Sequence, residues 1–392
     1  MVGAHISEVV LLCASSVVLT GVICHHAAAI GRATRLMDKP DGALKLHKTA
    51  TPLIGGFAIL IPTFLVSMFH WAGVGVAPAM LITVSAAAMM LIIGMIDDRA
   101  NLSPALRLLA LIMIVFAVFS LNPLFILHTL PIDFFHWRML FALNGLIAAP
   151  VTALIILGFV NAANMADGIN GQFLGSVLIW SIFIAYYQGI DIGLPFVALA
   201  CSALVAFVYN LRGRLFTGNS GAYAGSLFVA LGAIAAYRLP GNKMPAVMPV
   251  FWFWLPVLDC VRLMVGRLRR GRSPLTGDRN HFHHLLIRRM RPSNAVAIYL
   301  ALLAGPGIAG IINLTFAYET LLLCLGCYAV CIVLQHPATQ PRQSAMPKFA
   351  IQSQLGALPA GLPFSKAHRK TIMGSAALAD TNTESGGSTG AR

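Results

Sequence analysis

Four short stretches of this sequence carry residue types that do chemistry, each set between long apolar runs. "GMIDDRANLSP" holds two adjacent carboxylates, Asp97 and Asp98, and "NAANMADGINGQ" offers Asn161, Asn164, Asp167 and Asn170 among small residues. "RGRLFTGNSGAYAGS" places Gly218 and Asn219 where an apolar run begins, and "GDRNHFHHLLIRRM" sets His281, His283 and His284 among arginines. Adjacent carboxylates repel each other unless a cation or a group able to give up a proton stands nearby. Amide and carboxylate oxygens suit a hard cation such as Mg2+, which is usually shared with a phosphate. Glycines let backbone approach a ligand closely, and a helix N-terminus behind them is an anion cradle. The plain alternative for Asp97 and Asp98 is a solvated loop with Arg99 as partner.

The histidines pose a choice between a metal, an anion and nothing. Zinc wants three or four ligands, and neither H-x-x-x-H nor a Cys/His spacing is present. His281 and His284 would share a helical face, whereas His281 and His283 would share an extended one, so all three do not readily converge. Arg267, Arg269, Arg270, Arg272, Arg279, Arg288 and Arg289 surround them, and guanidinium forks match phosphate oxygens. A nucleic-acid surface would add stacking aromatics. A single Phe282 in the stretch makes no stacking platform, so no nucleic-acid partner is expected.

The elements that must position these residues are membrane helices. Of 392 residues only 10% are charged and 58% are hydrophobic, with a mean hydropathy of +0.80, whereas about a quarter of a soluble chain is charged. Apolar runs long enough to cross a hydrocarbon core of about 30 Å recur at 6–30, 52–70, 77–96, 105–121, 139–160, 172–187, 192–210, 221–237, 246–265, 295–314 and 317–334. The expected fold is therefore an all-α, polytopic integral membrane protein of about eleven transmembrane helices over 1–335. The first run leads into a charged loop rather than a cleavage site, so it reads as a retained helix. From about 336 the chain turns rich in Ala, Gly, Ser, Thr and Gln, which reads as a disordered tail over 336–392.

Orientation follows from charge. About sixteen Lys and Arg fall in the odd-numbered loops and three, Arg138, Arg238 and Lys243, in the even-numbered ones. By the positive-inside rule the N-terminus lies outside and the C-terminus is cytoplasmic. The net charge of +14 is then largely a cytoplasmic surface, and contact with anionic membrane lipid explains much of it. Every polar constellation named above falls on that same side, although its carboxylates, asparagines and histidines were not used to assign it. Most of the seven cysteines lie inside expected spans; Cys324, Cys327 and Cys331 share one helical face without an acid or histidine, which reads as helix packing.

Taken in order, "DKP…LHKTATPLIGG", "DDRANLS", "NAANMADGING", "GNSGAYAGS" and "SPLTGDRNHFHHLL" resemble the polyprenyl-phosphate N-acetylhexosamine-1-phosphate transferases over about residues 31–290. The resemblance implies that the phosphate of undecaprenyl phosphate attacks the β-phosphorus of a UDP-N-acetylhexosamine, with UDP-N-acetylglucosamine favoured, releasing UMP and starting a cell-surface polysaccharide. It implies Mg2+, or Mn2+, as cofactor. It also implies a multi-pass protein of the cell inner (cytoplasmic) membrane with the site facing the cytoplasm, and a homodimer is in keeping with it.

Carried over residue by residue, Asp97, Asp98 and Asp167 are the catalytic carboxylates, with Asp97 positioning or deprotonating the lipid phosphate. Asn164 and Asn219 hold the metal. Lys48, Asn161, Asn170, Arg279, His281, His283 and His284 bind the substrates. The chain departs from the family at Asn219, where Asp is usual, and at Ala105, where a basic residue is common, although Arg107 keeps a second one. Asn170 replaces an Asp of the bacterial members. Asn219 keeps a carbonyl oxygen but loses a charge, which leaves open a catalytically weak or inactive homologue that binds polyprenyl phosphate or nucleotide. A lipid or solute transporter is the third possibility; transporters gather polar groups near the midplane, whereas these lie at one interface.

Overall fold

A computed structural model describes residues 2–39, 50–75, 77–134, 137–239, 241, 244–273 and 280–334. In chain order the elements are α1 (Val2–His25), α2 (Ala27–Thr34), β1 (Met37–Asp38), β2 (Thr51–Pro52), α3 (Gly55–Val74), α4 (Pro78–Ala100) and α5 (Pro104–Leu121). Then come β3 (Thr129–Phe134), β4 (Trp137–Ala142), α6 (Gly145–Ala166), α7 (Gln172–Leu211), α8 (Gly218–Arg238), α9 (Met248–Leu268), α10 (Phe282–Ile287), α11 (Pro292–Ile312) and α12 (Leu314–Leu334).

Among the described residues ten helical segments are long and apolar enough to cross a membrane. The eleventh expected run, 172–187, is present as the short first limb of α7, which breaks at Gly189 (φ 72°, ψ 171°). Three boundaries move. The run expected over 6–30 divides into α1 and α2. The run expected over 139–160 starts only at Gly145, because 137–142 pairs with 129–134 as an antiparallel hairpin. Its helix continues to Ala166, so Asn161 and Asn164 stand on the last turns of α6 and not in a loop.

Local chemistry sets the ends. Ser103 accepts from the Leu106 N–H at 3.3 Å and Pro104 opens α5, while Asn144 accepts from the Ile147 N–H at 3.1 Å and starts α6. A side-chain oxygen satisfies one of the N–H groups a helix start leaves free, and Pro at the first position has none to leave. At the other end of α4, Asn101 adopts a left-handed conformation (φ 50°) with its N–H on the Asp97 carbonyl. That turn folds the chain back over the carboxylates.

α8 is the axis of the bundle. Every residue from Ser220 to Ala236 is buried, and its most extensive contact is with α4. Between helices in lipid the hydrophobic effect gives little, and close packing of small residues takes over. The spacing here is tight enough that a Cβ on Gly94 of α4 would fall on the Ser220 backbone, and one on Gly56 of α3 on Gly221. Outward, Phe69, Met113, Leu154 and Val330 are exposed, as a lipid-facing surface requires. The helices from Met1 to Gln335 form one compact unit.

Candidate active site

The start of α8 gathers the first group. Gly55 and Gly56 donate their N–H groups to the carbonyls of Phe216 and Thr217 at 2.9 and 3.1 Å, and Phe216 donates to Pro52 at 2.8 Å. The beginning of α3 is thereby tied to the turn that opens α8. α4 supplies the carboxylates. Asp98 Oδ1 accepts from the Asn219 N–H at 2.7 Å and Oδ2 from the Ser220 N–H at 3.0 Å. The helix N-terminus that sequence reading left free for an anion is thus filled by a carboxylate of the protein itself. Gly218, at φ 74°, is needed here, because a Cβ would meet Asp98 Oδ2 at 2.7 Å.

Asp97 faces another way. It is 2% exposed, accepts from the Leu102 N–H at 2.7 Å, and has Arg107 Nη1 3.4 Å from Oδ2. Tyr223 of α8 shares a hydrogen bond with the same arginine. Arg107 therefore spans from α5 to the carboxylate of α4 and the ring of α8.

Asp167 follows the end of α6 and shares a side-chain hydrogen bond with Thr217. Burial of its carboxyl pushes it up to about 7; the Thr217 bond lowers it and the charge of Asp98 raises it again. Asp98 and Asp167 are thus close enough to feel each other as like charges. A divalent cation relieves that arrangement. Among the described residues no three His, Cys, Asp or Glu side chains converge as metal ligands. The donor set nonetheless fits Mg2+, which takes one or two carboxylates and completes its shell with waters and phosphate.

Buried Asn210 braces the next turn. It accepts from the Gly171 N–H and donates to the Leu215 carbonyl at 2.8 Å, joining the "DGING" stretch to the approach to α8. Asn170 Nδ2 lies about 3.7 Å from where a Cβ on Gly213 would stand. Asn161 donates its amide to the Leu157 carbonyl at 2.8 Å, so its own helix takes up that donor. Half-buried Asn164 accepts the Asp167 N–H through its backbone carbonyl at 3.2 Å.

The histidines form the second group. His281 is extended (φ −58°, ψ 149°) and Phe282 begins α10, a change of conformation that brings all three rings together where neither regular spacing alone would. His281 and His283 lie parallel, 5.5 Å between centroids and 5° between planes, with His284 4.2 Å from His283. His283 is 1% exposed. Its Nδ1 is 3.5 Å from Gln172 Nε2, and its Nε2 is buried without a partner against Gly168, where any Cβ would collide with it. Burial holds His283 well below the ordinary imidazole range, and the charges of His284 and His281 add to this. That packing against Gly168, next to Asp167, joins the two groups at one end of the bundle.

Sequence reasoning missed Asp259. It accepts from His281 Nδ1 at 2.9 Å, from Arg262 Nη2 at 2.7 Å, from the Tyr328 hydroxyl at 2.9 Å and from the Phe282 N–H. A lone acid inside the apolar run "LPVLDCVRLMV" was the available signal, since ionisable groups at membrane depth are costly and usually serve a purpose. Lys48 and Arg279 lie outside the described residues, as does the stretch 336–392.

Residues 80–237 match glycosyl transferase family 4. The chain is 31% identical over 314 residues to the undecaprenyl-phosphate alpha-N-acetylglucosaminyl 1-phosphate transferase of Yersinia pestis, an overlap covering 74% of this chain and 80% of that protein. It is 28% identical over 305 residues to the protein of the same name from Escherichia coli K12, covering 73% and 78%. With that of Pasteurella multocida it shares 29% over 266 residues, covering 64% and 71%.

Proposed function

From the premise that the chain belongs to glycosyl transferase family 4, we propose that it transfers N-acetylglucosamine 1-phosphate from its UDP-sugar to undecaprenyl phosphate, releasing UMP. An oxygen of the lipid phosphate bonds to the β-phosphorus, and the bond from that phosphorus to the bridging oxygen breaks, so UMP leaves with the oxygen. One phosphoanhydride replaces another. Catalysis therefore consists of positioning and charge neutralisation. The observation that carries the reading is the meeting, across Gly168 and His283, of a carboxylate cluster and a histidine loop rich in arginine.

In this reading Asp97, oriented by the Leu102 N–H and Arg107, positions the lipid phosphate and takes its proton if one remains; such phosphates have a second pKa of about 6. Asp98 holds the α8 N-terminus in place. Asp167 and Asn170 border the nucleotide. Asn164, Asn219, Asp98 and Asp167 would hold Mg2+, which when bound neutralises charge on the diphosphate. His281 and Arg279 contact the diphosphate. His283 clamps the two loops together. The site faces the cytoplasm of a bacterial inner membrane, where the UDP-sugar is made, and the product begins a surface polysaccharide.

The test is UMP release by the purified protein given undecaprenyl phosphate, UDP-N-acetylglucosamine and Mg2+. Turnover in wild type and its loss in Asp97→Asn is the expected result. Asn219 favours one rival, a disabled site on an intact scaffold. Silence in wild type with activity in Asn219→Asp would establish that rival instead.

A further inference from the structure

Asp259, Arg262 and Tyr328 lie outside residues 80–237, and of the cluster they form only His281 has a part in the reaction as proposed. Asp259 is 5% exposed within α9, and a carboxylate at that depth persists only with partners. It has them from its own helix, from α12 and from the start of α10. Oδ1 takes Arg262 at 2.7 and 3.3 Å and the Tyr328 hydroxyl of α12 at 2.9 Å. Both oxygens take the Phe282 N–H, at 3.2 and 3.1 Å. Oδ2 alone takes His281 Nδ1, at 2.9 Å. Arg262 is fixed in turn, donating to the Tyr328 oxygen at 2.8 Å and to the Asn280 carbonyl at 2.6 Å.

A buried ion pair is a weak stabiliser, because desolvation offsets most of the attraction. What so many bonds on one carboxylate do give is fixed geometry. A carboxylate has roughly four acceptor sites, and here Arg262, Tyr328 and Phe282 immobilise it while one oxygen is turned to His281. The His281 ring is braced on its face by the parallel ring of His283, itself set against Gly168 and Gln172. With Nδ1 committed to Asp259, Nε2 is the nitrogen left for a ligand. The group on one ring nitrogen decides how the other is presented.

We propose that Asp259 is a positioning residue for phosphoryl transfer, which fixes the His281 imidazole through Nδ1 so that Nε2 meets the diphosphate of the nucleotide sugar. Tyr328 and Arg262 hold Asp259 in register. α12, the last helix among the described residues, thereby belongs to the catalytic architecture although it carries no residue that touches substrate. This inference rests on the transferase reading above.

The experiment is a double-mutant cycle on UMP release, with wild type, Asp259→Asn, His281→Gln and the double variant, each followed for kcat, KM and thermal melting. Asp259→Asn keeps the volume and one acceptor oxygen. It is expected to lower kcat by about ten- to hundredfold, with little change in KM for undecaprenyl phosphate, and the double variant should be no slower than His281→Gln alone. Full activity of Asp259→Asn, or losses that multiply in the double variant, would overturn the inference while leaving the transferase reading intact. An inactive wild type would overturn both. A second readout needs no Asp259 variant: in wild type with 15N-labelled histidine, UDP-N-acetylglucosamine added without lipid acceptor should shift the Nε2 resonance assigned by His281→Gln and leave its Nδ1 in place. An unmoved Nε2 would also overturn the proposal.

Discussion

Asp98 and Asp259 are used in the same way and surrounded in opposite ways. Each is a carboxylate from a long helix that accepts backbone N–H groups where another helix starts, Asn219 and Ser220 for Asp98 and Phe282 for Asp259. A negative group at a helix start is favourable in both places. Around Asp98 the further charges are Asp97 and Asp167, of the same sign, with Arg107 turned to Asp97. Around Asp259 stand Arg262 and His281. Among the described residues the first region is short of positive charge and suits a cation, whereas in the second the carboxylate is neutralised and an imidazole is held beside arginines that suit an anion. A substrate carrying a diphosphate with Mg2+ needs both at once.

The largest effect that would break this comparison is expected at Asp98. Asp98→Ala leaves two N–H groups at the α8 start without their acceptor, a cost of about 1–3 kcal/mol for each one that stays unsatisfied. It also removes a charge from the cation side, so UMP release should fall by about a thousandfold or more and melting should drop with it. Activity near wild type would mean that the carboxylate is only a helix cap.

Next comes the seam between the regions. Gly168→Ala puts a Cβ where His283 Nε2 sits, so the two loops must part. Displacements of about 1 Å in a reacting geometry cost about a hundredfold, and kcat should fall on that scale while Mg2+ still binds, as followed by calorimetry.

Two smaller effects would sharpen the contrast. Asn219→Asp adds a carboxylate to the cation side, and the Mg2+ concentration for half-maximal rate should fall by about tenfold; an unchanged requirement would remove residue 219 from the metal's surroundings. The pH dependence has a definite sign. Asp167, pushed up to about 7, is protonated below that value, and Mg2+ must displace the proton. Apparent Mg2+ affinity should therefore be full above pH 7 and weaken by up to about tenfold per unit below it. Asp167→Asn should flatten that dependence.

Much of this was legible in the sequence because membrane helices announce themselves by length and composition. The runs that became α3, α4, α5, α8, α9, α11 and α12 could be placed within a few residues. The carboxylate pair, the "DGING" turn and the start of α8 were visible as polar breaks between them. What stayed hidden depended on partners far along the chain. Hydropathy carried α6 only to residue 160, and the polar residues of its last turns, Asn161 and Asn164, read as a loop although the helix continues. The free cradle at Gly218 could not be known as filled without Asp98 beside it. No single regular spacing brings all three histidines together, and it is the switch from extended to helical backbone at Phe282 that sets His283 against both His281 and His284. Asp259 was overlooked because one acid hardly changes the hydropathy of its span, while its meaning lies in Tyr328 and His281, both remote in sequence.

The most direct measurement follows the phosphorus. Purified protein is given undecaprenyl phosphate, Mg2+ and UDP-N-acetylglucosamine labelled with 32P at the β-position, and the lipid extract is separated from the water-soluble products. Label in the lipid, with unlabelled UMP formed in equal amount, is the expected result, and Asp97→Asn should abolish both. Label that stays in the aqueous phase while the sugar moves to lipid would mean transfer of the sugar alone, and would contradict a site built around the β-phosphorus.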